Sequence, residues 1–203
     1  MSDLVPLSRG FTARGGAPRI AAVDPTIFER RYFARCMACG FWADGCCAHG
    51  VDVDGRVEEA LLREADAIAA HTGVPATEWF AEPAHADPDA PGGTLRRTAV
   101  RDGYCVFHTP NGRGCMLHAY AVATGRDYHA LKPMVSTLFP VTFGEGALLL
   151  SDELDDGSLA CAGDGPTAYE AAREEIRFYF GESLVSELDS IAATLPRGAA
   201  AEA

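Results

Sequence analysis

Residues 36–50 read CMACGFWADGCCAHG, and this stretch carries the strongest chemical signal in the chain. Four cysteines fall within twelve residues and a histidine follows closely: Cys36, Cys39, Cys46, Cys47 and His49. An isolated cysteine is usually a small buried hydrophobe, but four so close in sequence are typical of thiols with a chemical role. We therefore expect a fold whose loops are organised around these thiols.

The composition predicts a soluble protein that does not bind nucleic acid. The chain has 203 residues, 48% of them hydrophobic, which suffices for the core of one domain. Its formal net charge of -12 argues against nucleic acid and anionic membranes as partners, because phosphate binding needs clustered Lys and Arg. No segment reaches the roughly 18 apolar residues of a transmembrane helix. We expect a cytoplasmic location, where thiol clusters serve metal binding or catalysis rather than structural disulfides.

The chain divides into three regions by composition. Residues 1–18 are polar and Gly-rich and are predicted to be a flexible N-terminal segment. Residues 196–203 are low in complexity and are predicted to be a disordered tail. Residues 19–195 are predicted to form one folded domain.

Helical and strand patterns alternate within the folded region. Residues 56–73 have a helical period, and so do residues 166–195, which Gly181 divides into two segments. Residues 94–100 and 104–108 alternate as strands do. The predicted fold class is α+β: a small single domain of short antiparallel strands and helices organised around cysteine-rich metal-binding loops.

A tight turn is predicted downstream of the first cysteine group. The Asn111-Gly112 pair lies between Cys105 and Cys115 and suits a reversal of chain direction. Such a reversal would bring these two cysteines close together.

The C-x-x-C motif is predicted to bind a metal ion. Thiolates at Cys36 and Cys39 can reach one metal, and Gly40 lets the chain turn with a positive φ. A redox motif of thioredoxin type stays open as an alternative, although it needs a helix that opens at the first cysteine. The adjacent Cys46 and Cys47 point in different directions in an extended chain, so they would serve two sites or two irons of one cluster.

The number of candidate ligands fits zinc best. Seven cysteines and one histidine would fill two tetrahedral zinc sites, whereas a 4Fe–4S iron–sulfur cluster would use four cysteines. Zinc is the favoured cofactor, with iron or the 4Fe–4S cluster as the alternative, because thiolate-rich sites suit both. The candidate metal ligands are Cys36, Cys39, Cys46, Cys47, Cys105, Cys115, Cys161, His49 and His118.

The order of these motifs resembles that of a known family. CMACG, CCAHGVDVD, GYCVFH, CMLHAYAVATG and LKPMVSTLFPV, over residues 36–161, are similar to the YkgJ-type cysteine-cluster proteins, which are described as zinc- or iron-chelating domains. The resemblance implies that the first six cysteines belong to the metal-binding set. Ser136 stands where the family usually has a cysteine, and a serine hydroxyl is a poor ligand for zinc or iron. Cys161, His118 or a water would then complete the site.

The predicted function is metal binding in which the metal is mainly structural. One alternative is an enzyme with an iron–sulfur cluster or an open zinc site, because the resemblance reaches towards protein-modifying enzymes such as flagellin lysine methylase. The other is a metal chaperone or sensor. No dinucleotide or phosphate loop, G-x-S-x-G or H-E-x-x-H motif is present, so enzymatic activity is left open. The predicted partner is a metal ion, with a protein partner as an open alternative.

Overall fold

A computed structural model describes most of the chain. The described residues are 3–33, 46–109, 114–157, 159 and 161–195, apart from the side chains of Cys46 and Asp164. Cys36, Cys39, the Asn111-Gly112 pair and the C-terminal tail lie outside them, so the predictions made for these residues are not addressed by the structure.

Short strands make up the β part of the fold. They are β1 (Val5–Thr12), β2 (Arg19–Val23), β3 (Arg31–Tyr32), β4 (Asp52–Asp54), β5 (His85–Ala86), β6 (Thr94–Arg97), β7 (Val100–Arg101), β8 (Tyr104–Cys105), β9 (Val141–Gly144), β10 (Ala147–Leu150) and β11 (Ala162–Thr167). The largest sheet has the order β1-β2-β10-β9, in which only β2 and β10 run parallel. A second sheet has the antiparallel order β4-β6-β5, and the pairs β3-β11 and β7-β8 complete the set.

Helices complete the α+β class that the sequence predicts. Within the described part of the chain there are seven α-helices: α1 (Gly55–Arg63), α2 (Ala65–Thr72), α3 (Met116–Ala123), α4 (Met134–Leu138), α5 (Asp152–Asp155), α6 (Ala168–Phe180) and α7 (Glu182–Thr194). A small α+β domain with short strands is thus confirmed, whereas its organisation around metal-binding loops is not shown. None of the described helices has the length and apolar character needed to cross a bilayer.

Local capping explains where several helices begin and end. The side chain of Thr167 accepts a hydrogen bond from Glu170 N at 3.1 Å, and the Glu170 carboxylate accepts one from Thr167 N at 2.8 Å. This capping box starts α6. Gly181, with φ 84°, separates α6 from α7, as predicted. Asp54 caps α1 through Val57 N at 3.1 Å, and burial raises the pKa of its carboxyl group.

The segment of residues 56–73, which the sequence predicts as one helix, forms two helices in the structure. Glu64 leaves the helical conformation, with φ -116° and ψ 21°, so α1 ends and α2 begins around it. The Glu64 carboxylate accepts a hydrogen bond from the Tyr120 hydroxyl at 3.1 Å and forms an ion pair with Arg126. Tertiary contacts of this kind override the local period.

The N-terminal region differs from its predicted flexibility. Residues 5–12 form β1, which pairs antiparallel with β2. Leu7 and Phe11 of this strand are buried against the sheet's core. Apolar burial of these two side chains offsets the polar composition of the segment.

The buried apolar residues form two clusters. The first cluster packs the β1-β2-β10-β9 sheet against α6 and α7, with Ile20, Leu148 and Ile176 fully buried. The second cluster packs α1, α2 and α3 around Trp79 and Phe107. The boundary between these two clusters positions the candidate functional site.

Candidate functional site

A pocket of about 800 Å³ opens between the two apolar clusters. Phe107 and Leu117 of the second cluster line it, and so do Tyr32 and Leu150 of the first. Its described polar and thiol lining residues are Cys47, Asp52, Arg97, Cys105, His108, Cys115, His118, Tyr128, Lys132, Ser136, Thr137, Thr142, Ser151, Asp152, Glu153 and Glu175. A concave site of this volume, which combines apolar walls with many polar groups, suits a small organic ligand.

Lys132 lines this pocket and is the single lysine of the chain. The residue is only 7% exposed, and it lies between the 3₁₀ turn Tyr128–Ala130 and α4. Its backbone N donates to Tyr128 O at 2.8 Å, which holds the residue at the pocket wall. Among the described residues its ammonium group has neither an ion pair nor a hydrogen bond. An ammonium group that lines a pocket and has no acidic partner is a site for an anionic ligand, because charge-assisted hydrogen bonds are strong.

Two other charged side chains of the lining already have partners. Arg97 Nη1 lies 2.7 Å from Asp52 Oδ2, and its Nη2 donates to the carbonyl of His49 at 2.8 Å. Glu175 accepts a hydrogen bond from the Tyr128 hydroxyl at 2.7 Å, and its other oxygen lies 2.6 Å from His129 Nε2. Lys132 is therefore the lining cation without an ion pair among the described residues, although Asp152 and Glu153 also line the pocket.

Two buried polar atoms of the lining lack hydrogen bonds within the described protein: His118 Nδ1 and Ser151 Oγ. Ser151 is 5% exposed. Burial lowers the pKa of His118, and the charge of Lys132 lowers it further. His118 is therefore a neutral imidazole at pH 7. Because most buried polar groups in proteins are paired, such atoms are a common feature of ligand sites.

Three of the cysteines that the sequence predicts as metal ligands also line the pocket: Cys47, Cys105 and Cys115. Thr98 helps to place the first two of them. Its Oγ1 accepts hydrogen bonds from Val51 N at 2.8 Å and from Cys105 Sγ at 3.4 Å. It thereby joins the chain after the Cys46–His49 turn to β8.

The chain runs antiparallel on either side of residues 110–113, as a reversal between Cys105 and Cys115 would require. His108 and Cys115 form an antiparallel bridge, and Met116 N donates to Phe107 O at 2.7 Å. Both cysteines thus reach the same wall of the pocket.

These thiols are held in their protonated form. Burial raises the pKa of Cys105, and it raises that of Cys115 to about 11 although the charge of Lys132 acts in the opposite direction. A thiol with a raised pKa is a weak nucleophile and a weak metal ligand, because both roles need the thiolate.

The predicted metal-binding function is contradicted by the structure. No group of three or more His, Cys, Asp or Glu side chains in the described part of the chain is placed to hold a metal ion. Burial raises the pKa values of Cys105 and Cys115, which disfavours the thiolate form that a metal ion needs. A metal-binding role, as structural site, enzyme or chaperone, is therefore not retained.

The remaining predicted ligands are distributed as follows. His118 lines the pocket, as does Ser136. Cys161 is buried in the first apolar cluster and His49 is exposed, and neither belongs to the described lining. Cys36, Cys39 and the Cys46 side chain lie outside the described residues. Individual ligand assignments, and zinc or an iron–sulfur cluster as cofactor, stay untested predictions from sequence.

Sequence reasoning missed Lys132, Ser151 and Glu175 as site residues. Lys132 had a usable signal, because it is the one lysine in a chain whose other side-chain cations at neutral pH are arginines. Lysine is a compact point charge with three rotatable donors, whereas arginine is favoured where bidentate pairs are made. Ser151 and Glu175 had no local signal, since only tertiary packing brings them to the pocket.

Gly50 provides a test of how tightly the Cys46–His49 turn is packed against Thr98. Gly50 has φ +71°, and a Cβ there would lie 3.0 Å from Thr98 O and 3.1 Å from Thr98 Oγ1. Gly50→Ala is expected to lower the free energy of unfolding by about 2 kcal/mol, from left-handed strain plus this crowding. Gly73 is the matched control, because it has φ +72° and open space around the added Cβ. Urea unfolding that gave equal losses for Gly50→Ala and Gly73→Ala would rule out the close packing.

Comparison of the chain with protein-family models, with curated proteins and with solved structures finds no match. The resemblance to the YkgJ-type family therefore stays a prediction from sequence.

Proposed function

We propose that the protein binds a small organic anion, a carboxylate or a phosphate ester, with Lys132 as its counter-ion. The observation that carries the proposal is the buried single lysine, which lines a pocket of about 800 Å³ and has no acidic partner among the described residues. A ligand carboxylate or phosphate would supply the missing charge in an environment where ionic hydrogen bonds are strong.

The rest of the lining suits the organic part of such a ligand. Phe107 and Leu117 of the second apolar cluster and Leu149 of β10 provide apolar contact area in the lining. Ser136, which is close to Lys132 in sequence, also lines the pocket. Its hydroxyl group can donate a hydrogen bond to a bound anion. Apolar walls with a few fixed polar groups are the usual composition of small-molecule sites.

The single lysine allows a direct test by NMR. Protein labelled with ¹³C at lysine Cε gives one lysine side-chain signal, which reports on Lys132 alone. Titration with 2-naphthoate or phenyl phosphate is expected to shift this signal in a saturable manner. A signal that stays unchanged with both anions at millimolar concentration contradicts the proposal.

Lys132→Met provides the second arm of the test. Loss of an ionic hydrogen bond is expected to weaken anion binding by about 10- to 100-fold in calorimetric titrations. Arg63→Met is the matched control, because it changes the net charge equally at an exposed residue outside the described pocket lining. Equal losses of affinity in the two variants would show a nonspecific charge effect instead.

A further inference from the structure

The geometry points to a planar aromatic anion as the ligand class, with its ring stacked on His118 and its charged group on Lys132. This inference rests on the proposed function and narrows it. Its basis is a column of stacked side chains that ends at the pocket.

Four rings form this column in the order His118, Tyr128, His129 and Phe178. The ring centroids of His118 and Tyr128 lie 4.4 Å apart with an interplanar angle of 12°. Those of Tyr128 and His129 lie 4.1 Å apart at 27°, and those of His129 and Phe178 lie 3.6 Å apart at 12°. The guanidinium of Arg14 lies over the Phe178 ring at 4.5 Å and continues the stack away from the pocket.

His118 is the end of the column that faces a ligand. The rings of His118 and His129 are both nearly parallel to the Tyr128 ring and both stack closely on it, so they lie on its opposite faces. Both faces of Tyr128 are therefore covered. Among the described residues no ring covers the second face of His118, and His118 lines the pocket. A planar ligand ring would therefore extend an existing stack by one member.

Hydrogen bonds keep the column in place before a ligand arrives. Glu175 of α6 binds both inner rings, through the Tyr128 hydroxyl at 2.7 Å and through His129 Nε2 at 2.6 Å. Asp127 lies 2.5 Å from His129 Nδ1, so both nitrogens of this imidazole are bonded. A platform that is already ordered loses little conformational entropy when a ligand stacks on it.

The same platform lies close to the anion site. Lys132 and His118 line the same pocket, and the charge of Lys132 lowers the pKa of His118. His118 is neutral at pH 7, and a neutral ring prefers offset stacking on another aromatic ring. An aromatic carboxylate can thus engage the platform and the ammonium together, whereas a saturated anion gains only the ionic contact and apolar burial.

A matched pair of anions tests the inference. 2-Naphthoate and decahydro-2-naphthoate carry the same charge and a similar skeleton, but only the first is planar and aromatic. Calorimetric titration of the full chain is expected to give about 10-fold tighter binding of 2-naphthoate. Equal affinities overturn the aromatic inference and leave the proposed anion site in place. Failure of both anions to bind overturns the inference together with the proposed function.

Two further measurements locate the ring. His118→Leu is expected to remove most of the preference for 2-naphthoate, while His85→Leu, which changes an exposed histidine outside the described lining, is expected to keep it. In the unaltered protein, the proton signals of bound 2-naphthoate are expected to move upfield because of ring currents from the column. Bound 2-naphthoate without upfield shifts overturns the stacking, whether or not the His118 variant folds.

Discussion

Trp79→Ala is expected to lower the free energy of unfolding by about 3 to 5 kcal/mol, the usual range for removing a large buried aromatic side chain. Trp79 is fully buried, and its ring packs against Phe107 at 5.6 Å between centroids. Its Nε1 donates to Val74 O at 2.9 Å. The substitution therefore leaves a cavity in the second apolar cluster and an unpaired buried carbonyl.

Urea unfolding followed by circular dichroism measures this loss. Trp79→Phe is the matched control, because it keeps a ring in the cavity and removes the donor to Val74. Its loss is expected to be clearly smaller than that of Trp79→Ala. A loss below about 1.5 kcal/mol for Trp79→Ala would contradict a central role of this side chain in the cluster.

Gly165→Ala is expected to lower the free energy of unfolding by about 3 kcal/mol, from left-handed strain and a backbone clash together. Gly165 lies in β11 with φ +94°, and an added Cβ would lie 2.5 Å from the carbonyl oxygen of Tyr32. The clash is with backbone, so no side-chain rotation relieves it. The substitution would push β3 away from β11 and displace Tyr32, which lines the pocket.

Gly163 of the same strand is the control for this substitution. It has φ +99°, and an added Cβ there meets no atom within 4 Å. Gly163→Ala is expected to lower the free energy of unfolding by about 1 to 2 kcal/mol, from backbone strain alone. Thermal and urea unfolding of both variants compare the two positions. Losses that are the same for Gly163→Ala and Gly165→Ala would show that the contact with Tyr32 is relieved at little cost.

The sequence predicts best those elements whose signals act over a few residues. The Asp24-Pro25 pair predicts a helical turn through Phe28, and the structure has a 3₁₀ turn at Pro25–Phe28 capped by Asp24. Gly181 predicts the division between α6 and α7 for the same kind of reason, since glycine readily adopts a positive φ. These signals depend on backbone conformation and capping, which are local properties.

The sequence predicts poorly those features that depend on pairing between distant residues. The strand β1 forms in a polar segment because β2 pairs with it and the core covers Leu7 and Phe11. From sequence, Cys115 is an ordinary candidate ligand. In the folded protein, burial raises the pKa of its thiol to about 11, although the charge of Lys132 acts in the opposite direction. A cysteine count cannot reveal this difference, because the protonation state depends on the folded surroundings.

By itself the sequence determined the α+β class and the division between α6 and α7 at Gly181. Only the tertiary structure decided which charges are balanced at the pocket. Arg97 is paired with Asp52, and Glu175 with Tyr128 and His129, while Lys132 stays without an acidic partner among the described residues. The physical reason is that hydrophobic periodicity and helix capping depend on residues close together in sequence. Whether a charged side chain has a partner depends instead on the side chains that folding places around it.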